Sequence, residues 1–159
     1  MRILSVLAFC ICVASSALAQ KVTLTLTSET PEIAAGKIIL VNVVMKNSSS
    51  REIRCDIFKQ NELDFNYQYV VLYEDGQPVP RIALKWPILS NTYGCFVAPG
   101  EATTGSGGII SQHFDFSRPG TYTIQASRSV IVDGATETIK SNTITVTVLP
   151  PPEASESQK

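Results

Sequence analysis

The chain of 159 residues predicts an all-β domain, an antiparallel β-sandwich of about seven strands. Three observations predict it. Apolar and polar residues alternate strictly in several separate runs. No run beyond the N-terminal segment keeps helical periodicity over the roughly 11 residues that a helix would need. Turn residues recur between the alternating runs at spacings of about ten residues, the rhythm of short strands in a sandwich.

The N-terminal "MRILSVLAFCICVASSALAQ" reads as a signal peptide covering residues 1–19. Arg2 supplies the basic start, Ile3 to about Val13 the apolar stretch, and Ala17-Leu18-Ala19 the small-residue cleavage pattern. Cleavage after Ala19 is expected, which leaves a domain over 20–149. The apolar stretch falls short of the roughly 20 residues of a membrane span. Lipid attachment at Cys10 or Cys12 is disfavoured, because Phe9 and Ile11 stand where a small residue is needed.

In "KVTLTLTSE", Val22, Leu24 and Leu26 share one face and Thr23, Thr25 and Thr27 the other, a half-buried strand. "SETPEIAAGK" turns the chain at Pro31 and Gly36. In "KIILVNVVMKN", Ile39, Val41, Val43 and Met45 face inward, with Asn42 and Lys46 outward, as in a central strand. "NSSS" is a turn, and Ile53, Cys55 and Ile57 resume an inward face. Tyr67, Tyr69, Val71 and Tyr73 share a face of the next strand, which Asp75-Gly76 ends as a hairpin-type turn.

From Gln77 to Gly108 the pattern breaks down around Pro78, Pro80, Pro87 and Pro99. A short edge strand near Arg81 to Lys85 and then a long loop are expected; loops of that length in compact domains carry function or lack order. "GIISQHFDF" restores alternation, with Ile110, Phe114 and Phe116 inward. Tyr122, Ile124 and Ala126 then face one way, and Ile144, Val146 and Val148 answer them in "SNTITVTVLP". Asp133-Gly134 joins these two strands. A plain two-residue loop would set Tyr122 against Thr145, so one extra residue or a bulge is expected, restoring Tyr122 opposite Val146 and Ile124 opposite Ile144. Residues 150–159, "PPPEASESQK", form a polar, proline-led tail with no apolar anchor and are expected to be disordered.

Charge and cysteines narrow the function classes. The full-length net charge of −1 becomes about −2 once Arg2 is removed, and no concentrated basic patch suits a nucleic acid or an anionic membrane. Cys55 and Cys95 remain after cleavage, and an oxidising compartment makes one disulfide the expected state. Closing that loop removes roughly 4 kcal/mol of unfolded-state entropy in the chain-entropy model. Two distant cysteines with no neighbouring histidine do not make a zinc site, and "TTGSGG" lacks the lysine and helix of a phosphate cradle. No metal and no cofactor are expected.

Ser111, His113 and Asp115 are the residue types of a hydrolytic triad. In line along a strand, residues two apart lie nearly 7 Å from one another, so a solvated polar face opposite Phe114 and Phe116 is expected instead. Asp56, Glu62, Asp64, Glu74 and Asp75 fall at strand ends and turns, and turn chemistry accounts for them. The chain is read as not an enzyme. "KWPILSNTYGCFVAPG" is the candidate functional segment: Trp86, Ile88, Leu89, Tyr93 and Phe96 concentrate large side chains without strand periodicity, the composition of a binding patch. The competing expectation is that these residues cap the sandwich, with Cys95 stapled to Cys55.

Gly120, Tyr122 and Ile124 in "RPGTYTIQASR" resemble the tyrosine corner of immunoglobulin-like domains, with Ile124 where an antibody domain carries its second cysteine. Together with "AAGKIILVNVVMKN", "YQYVVLYEDGQPVP", "APGE" and "KSNTITVTV", the pattern from Lys21 to Val148 resembles small secreted Ig-like proteins of bacteria. It is similar in outline to the β-sandwich of the intracellular proteinase inhibitor type. The segment from Trp86 to Phe96 shares no motif with them. The resemblance implies an Ig-like fold and a secreted or periplasmic address. The expected function is a non-catalytic module that binds another protein or a cell-surface component through end loops; the alternative is a protease inhibitor presenting residues 86–96.

Overall fold

The computed structural model describes residues 21–55, 67–82, 95–103 and 108–151. Residues 1–19, expected from the sequence to be a signal peptide, and residues 152–159 of the tail lie outside the described residues. The described chain is all-β, with no α-helix. Its strands are β1 (Val22–Ser28), β2 (Glu32–Ala34), β3 (Leu40–Asn47), β4 (Ile53–Cys55), β5 (Gln68–Tyr73), β6 (Phe96–Val97), β7 (Gly108–Ile109), β8 (Gly120–Val132) and β9 (Ala135–Leu149). Among the described residues a 3₁₀ turn spans Ile110–Gln112.

Hydrogen bonds link the strands in the order β6-β4-β8-β9-β1-β3-β7, with β5 on β8 and β2 on β9. The array curls into a half-barrel. Pairing is mixed rather than antiparallel throughout: β9 runs parallel to β1 at Leu24 and Ser141, and parallel to β2 over Thr147 to Leu149. Turn chemistry dictates hairpins between sequence neighbours, whereas these contacts join the two ends of the chain and have no local signal. For the same reason "SETPEIAAGK", expected only to turn, contains β2, whose partner lies at the far end of the sequence.

The concave face holds the core, and alternation places it there. Val22, Leu24 and Leu26 of β1, Val41, Val43 and Met45 of β3, and Tyr69 and Val71 of β5 are all buried. Tyr67 just before β5, and Tyr122, Ile124 and Val130 of β8, complete it with Val146 and Val148 of β9. The β8–β9 hairpin turns on Asp133 at φ 52° and Gly134 at φ 82°. Two successive positive φ values give the primed turn whose twist suits a hairpin, and aspartate and glycine tolerate it best. Val132 faces Ala135 across this loop, Ile124 faces Ile144 and Tyr122 faces Val146. The residue needed to shift the register is a bulge opposite Ala126, between Gln125 and Ser127 on β8.

"GIISQHFDF" departs from the strand reading. Gly108 and Ile109 alone form a strand, paired with β3, and the chain then winds into the 3₁₀ turn. At three residues per turn, positions i and i+3 lie on one side. Ile110 and His113 are therefore both buried, and His113 does not belong to a solvated polar face. Arg81 makes one isolated bridge with Phe114, and the rest of the expected edge strand, beyond Ile82, lies outside the described residues.

Candidate functional site

Trp86, Ile88, Leu89 and Tyr93 lie outside the described residues. Phe96, the last of the candidate set, is described together with the frame that carries it. Just before it, Cys95 is bonded to Cys55, with a Cα–Cα separation of 5.0 Å, and the Cys55 N–H donates to the Cys95 carbonyl at 2.9 Å. Ile53 faces Val97 and Arg54 faces Phe96 in the β4–β6 ladder. Alternation turns Ile53, Cys55 and Val97 inward and leaves Arg54 and Phe96 outward. Phe96 is 63% exposed. The Arg54 guanidinium sits 5.6 Å from its ring centroid, and Arg54 Nε lies 3.4 Å from Glu52 Oε1. β6 occupies one end of the strand order, so the ring stands on a sheet edge.

Asn47 fixes this edge to β3. Its side-chain amide is wholly buried and donates to the Arg51 carbonyl at 2.7 Å and the Val97 carbonyl at 2.9 Å. Its Oδ1 accepts from the Ser49 N–H at 2.9 Å and the Ser49 hydroxyl at 2.7 Å. Its backbone pairs with Gly100 and Glu101. The turn "NSSS" thus wraps around a side chain whose polar groups are all engaged, and the sequon-like Asn47-Ser48-Ser49 presents no accessible amide. Sequence patterning gave no sign of this role, because asparagine before serines reads equally well as turn chemistry.

The three triad-type residues do not assemble. The Ser111 hydroxyl accepts from the Ile39 N–H at 3.1 Å. Asp115 accepts from the Ser117 N–H at 2.9 Å, and the hydrogen bonds from Ser117 hold its carboxyl below the usual range. The His113 carbonyl accepts from the Ile82 N–H, and the ring is buried. Of the scattered carboxylates, Asp75 caps its own turn by accepting from the Gln77 N–H at 3.0 Å; Asp56, Glu62 and Asp64 lie outside the described residues. Among the described residues no three His, Cys, Asp or Glu side chains gather as a metal site would require, and no helix is long and apolar enough to cross a membrane.

Tyr122 is fully buried at the start of β8, and its hydroxyl donates to the Arg118 carbonyl. Gly120, at φ 147°, leads into it. Both belong to the scaffold, on a different part of β8 from the residues that meet β4.

No protein-family model matches the chain, and no curated protein matches it. Among solved structures, the chain is similar to the X-ray structure of Northeast Structural Genomics Consortium target SoR45. The likeness has a TM-score of 0.50 at 11% identity over 90% of this chain and 96% of that one. It is also matched to the CARDB domain of a Pyrococcus furiosus protein, solved in complex with di-metal ions, with a TM-score of 0.46 at 12% identity over 81% of this chain and 93% of that one. At such identity the first likeness speaks to a common β fold, spanning nearly the whole of both chains.

Proposed function

We propose that the chain is a secreted or periplasmic, non-catalytic Ig-like module that binds another protein or a cell-surface component. The contact surface is the disulfide-based segment from Trp86 to Phe96. One observation carries the reading: Phe96 is held out to solvent on an edge strand, with an arginine stacked on it and a disulfide at its base. A large aromatic in a rigid, exposed setting is the side chain that anchors protein interfaces. Trp86, Ile88, Leu89 and Tyr93 precede it within about ten residues in sequence. The Tyr122 corner hydrogen bond favours the Ig-like assignment, and the engagement of Ser111 with Ile39 favours a non-catalytic role.

The test is capture from the native extracellular or periplasmic fraction by wild type and by Trp86→Ala, Tyr93→Ala and Phe96→Ala. The variants are expected to lose the captured partner by at least about tenfold, the weight of one interface anchor, with unchanged thermal midpoints. Retained capture, or midpoints that collapse, would make these residues core rather than contact. The disulfide at Cys95 also suits an inhibitory loop held for a protease. Stoichiometric slowing of a protease panel by the purified protein favours that second reading, and undiminished proteolysis removes it.

A further inference from the structure

The inward row of β8 runs Tyr122, Ile124, Ala126, Arg128, Val130 and Val132, and all six are buried. A charged residue breaks an otherwise apolar row. Arg128 is only 4% exposed. Taking a guanidinium out of water costs on the order of several kcal/mol unless an anion or a full set of acceptors replaces the lost hydration. Its Nε is buried with no hydrogen-bond partner, and the ion pairs of the described residues involve Lys21, Arg51 and Arg54 instead.

The group facing Arg128 is Tyr67, whose ring centroid lies 5.1 Å from Cζ. Burial lowers the Arg128 pKa, and the Tyr67 side chain opposes that shift, by its charge and by a hydrogen bond with the guanidinium that leaves Nε unsatisfied. Tyr69, opposite Ala126 on the same inner face, is pushed far up by burial and keeps its proton. Tyr69 therefore brings no full negative charge at neutral pH.

Along one edge of β8, pairing with β5 reaches Ser127 and pairing with β4 resumes at Val130. Arg128 falls in the interval where β8 changes partner. Cys55, opposite Val130, shares the buried face. Arg128 with Tyr67 beside it, Tyr69 and Cys55 therefore share the buried face on either side of an interruption in the sheet.

We propose that Arg128 anchors a binding site for an organic monocarboxylate, gripped by the guanidinium with its apolar part against Tyr67 and Tyr69. The planar fork of arginine matches the two oxygens of a carboxylate. One buried cation is neutralised by one negative charge, and aromatic walls select an organic body over an inorganic ion. The carboxylate belongs either to a free organic acid or to the C-terminus of a peptide. This site is independent of the segment around Phe96.

Protein expressed from the full sequence is titrated calorimetrically with sodium benzoate, benzamide, sodium sulfate, and an acetylated Ala-Ala-Phe peptide with a free or amidated C-terminus. Saturable binding of benzoate identifies a free acid, and binding of the free peptide alone identifies a chain terminus. Benzamide, sulfate and the amidated peptide are expected to bind at least about tenfold more weakly, as is every carboxylate to Arg128→Gln, the weight of one charge-assisted hydrogen bond. If that variant does not fold, Arg128→Lys keeps the charge and loses the fork, and the same weakening is expected. Absence of saturable carboxylate binding, equal binding of benzamide or sulfate, or affinity unchanged in the folded variant overturns the proposal. So does binding that appears only in the Asp56→Asn, Glu62→Gln, Asp64→Asn variant, which would make the counter-charge the chain's own.

Discussion

Tyr122 is packed between two rings, with centroids 5.3 Å away at Tyr73 and 4.9 Å away at Phe116. Its hydroxyl bonds the Arg118 carbonyl four residues back and thereby fixes how the chain enters β8. Burial raises the phenol pKa, so the hydroxyl remains a donor through the physiological range. Tyr122→Phe keeps the ring contacts and strands one carbonyl. A loss of about 1 kcal/mol is expected in urea unfolding, and an unchanged midpoint would remove the corner from the account. Asp133 acts at the surface. Lys21 Nζ lies 2.6 Å and Arg51 Nη1 3.3 Å from its carboxylate. The hydrogen bond from Lys21, and then its charge, lower the Asp133 pKa. A depressed folded pKa adds stability above the unfolded value, about 4, and that gain is lost as pH falls through the folded value. Asp133→Asn keeps a residue that tolerates positive φ. Its midpoint should fall below wild type near neutral pH and converge with it in acid, and salt of about 1 M should also shrink the gap. A gap independent of pH and salt would assign the effect to the turn.

β9 shows how an element exceeds its pattern. At the bulge the Ala126 N–H donates to the Ser141 hydroxyl at 2.9 Å rather than to a carbonyl. Asn142 leaves the ladder sideways: its Oδ1 accepts from the Leu26 N–H at 2.8 Å and its Nδ2 donates to the Leu26 carbonyl at 3.0 Å. An asparagine side chain thus serves β1 as a peptide group would, and this couples the hairpin to the N-terminal strand. The need for one extra residue was legible, because Tyr122 and Val146 had to share a face. The identity of Ser141 and Asn142 as that device was not, since polar residues at a bulge look like solvated strand residues until the neighbouring strand is in place. The segment holding His113 differs for another reason: alternation of apolar residues over a short run fits a strand and a 3₁₀ turn nearly equally, and hydrogen bonding to Ile39 decided between them.

For the molecule as a whole, the disulfide joins positions 40 residues apart at one end of the sheet. Its removal acts mainly through the unfolded chain. The Cys55→Ser, Cys95→Ser protein should lose about 2–4 kcal/mol of unfolding free energy and still show β-sheet circular dichroism, since the bond lies outside the β1–β3 and β8–β9 ladders. Unaltered stability would mean that the linkage does not form in the native protein. The sequence by itself determined the all-β class, the inward faces of β1, β3, β5, β8 and β9, and the corner and hairpin residues, because each follows from period-two burial or from local turn chemistry. Only the tertiary structure decided that the sheet is mixed and half-closed, that Asn47 is a buried knot and that Arg128 lies inside. Those depend on which strands meet across the chain, and no short stretch of sequence carries the energy of a contact whose partner lies a hundred residues away.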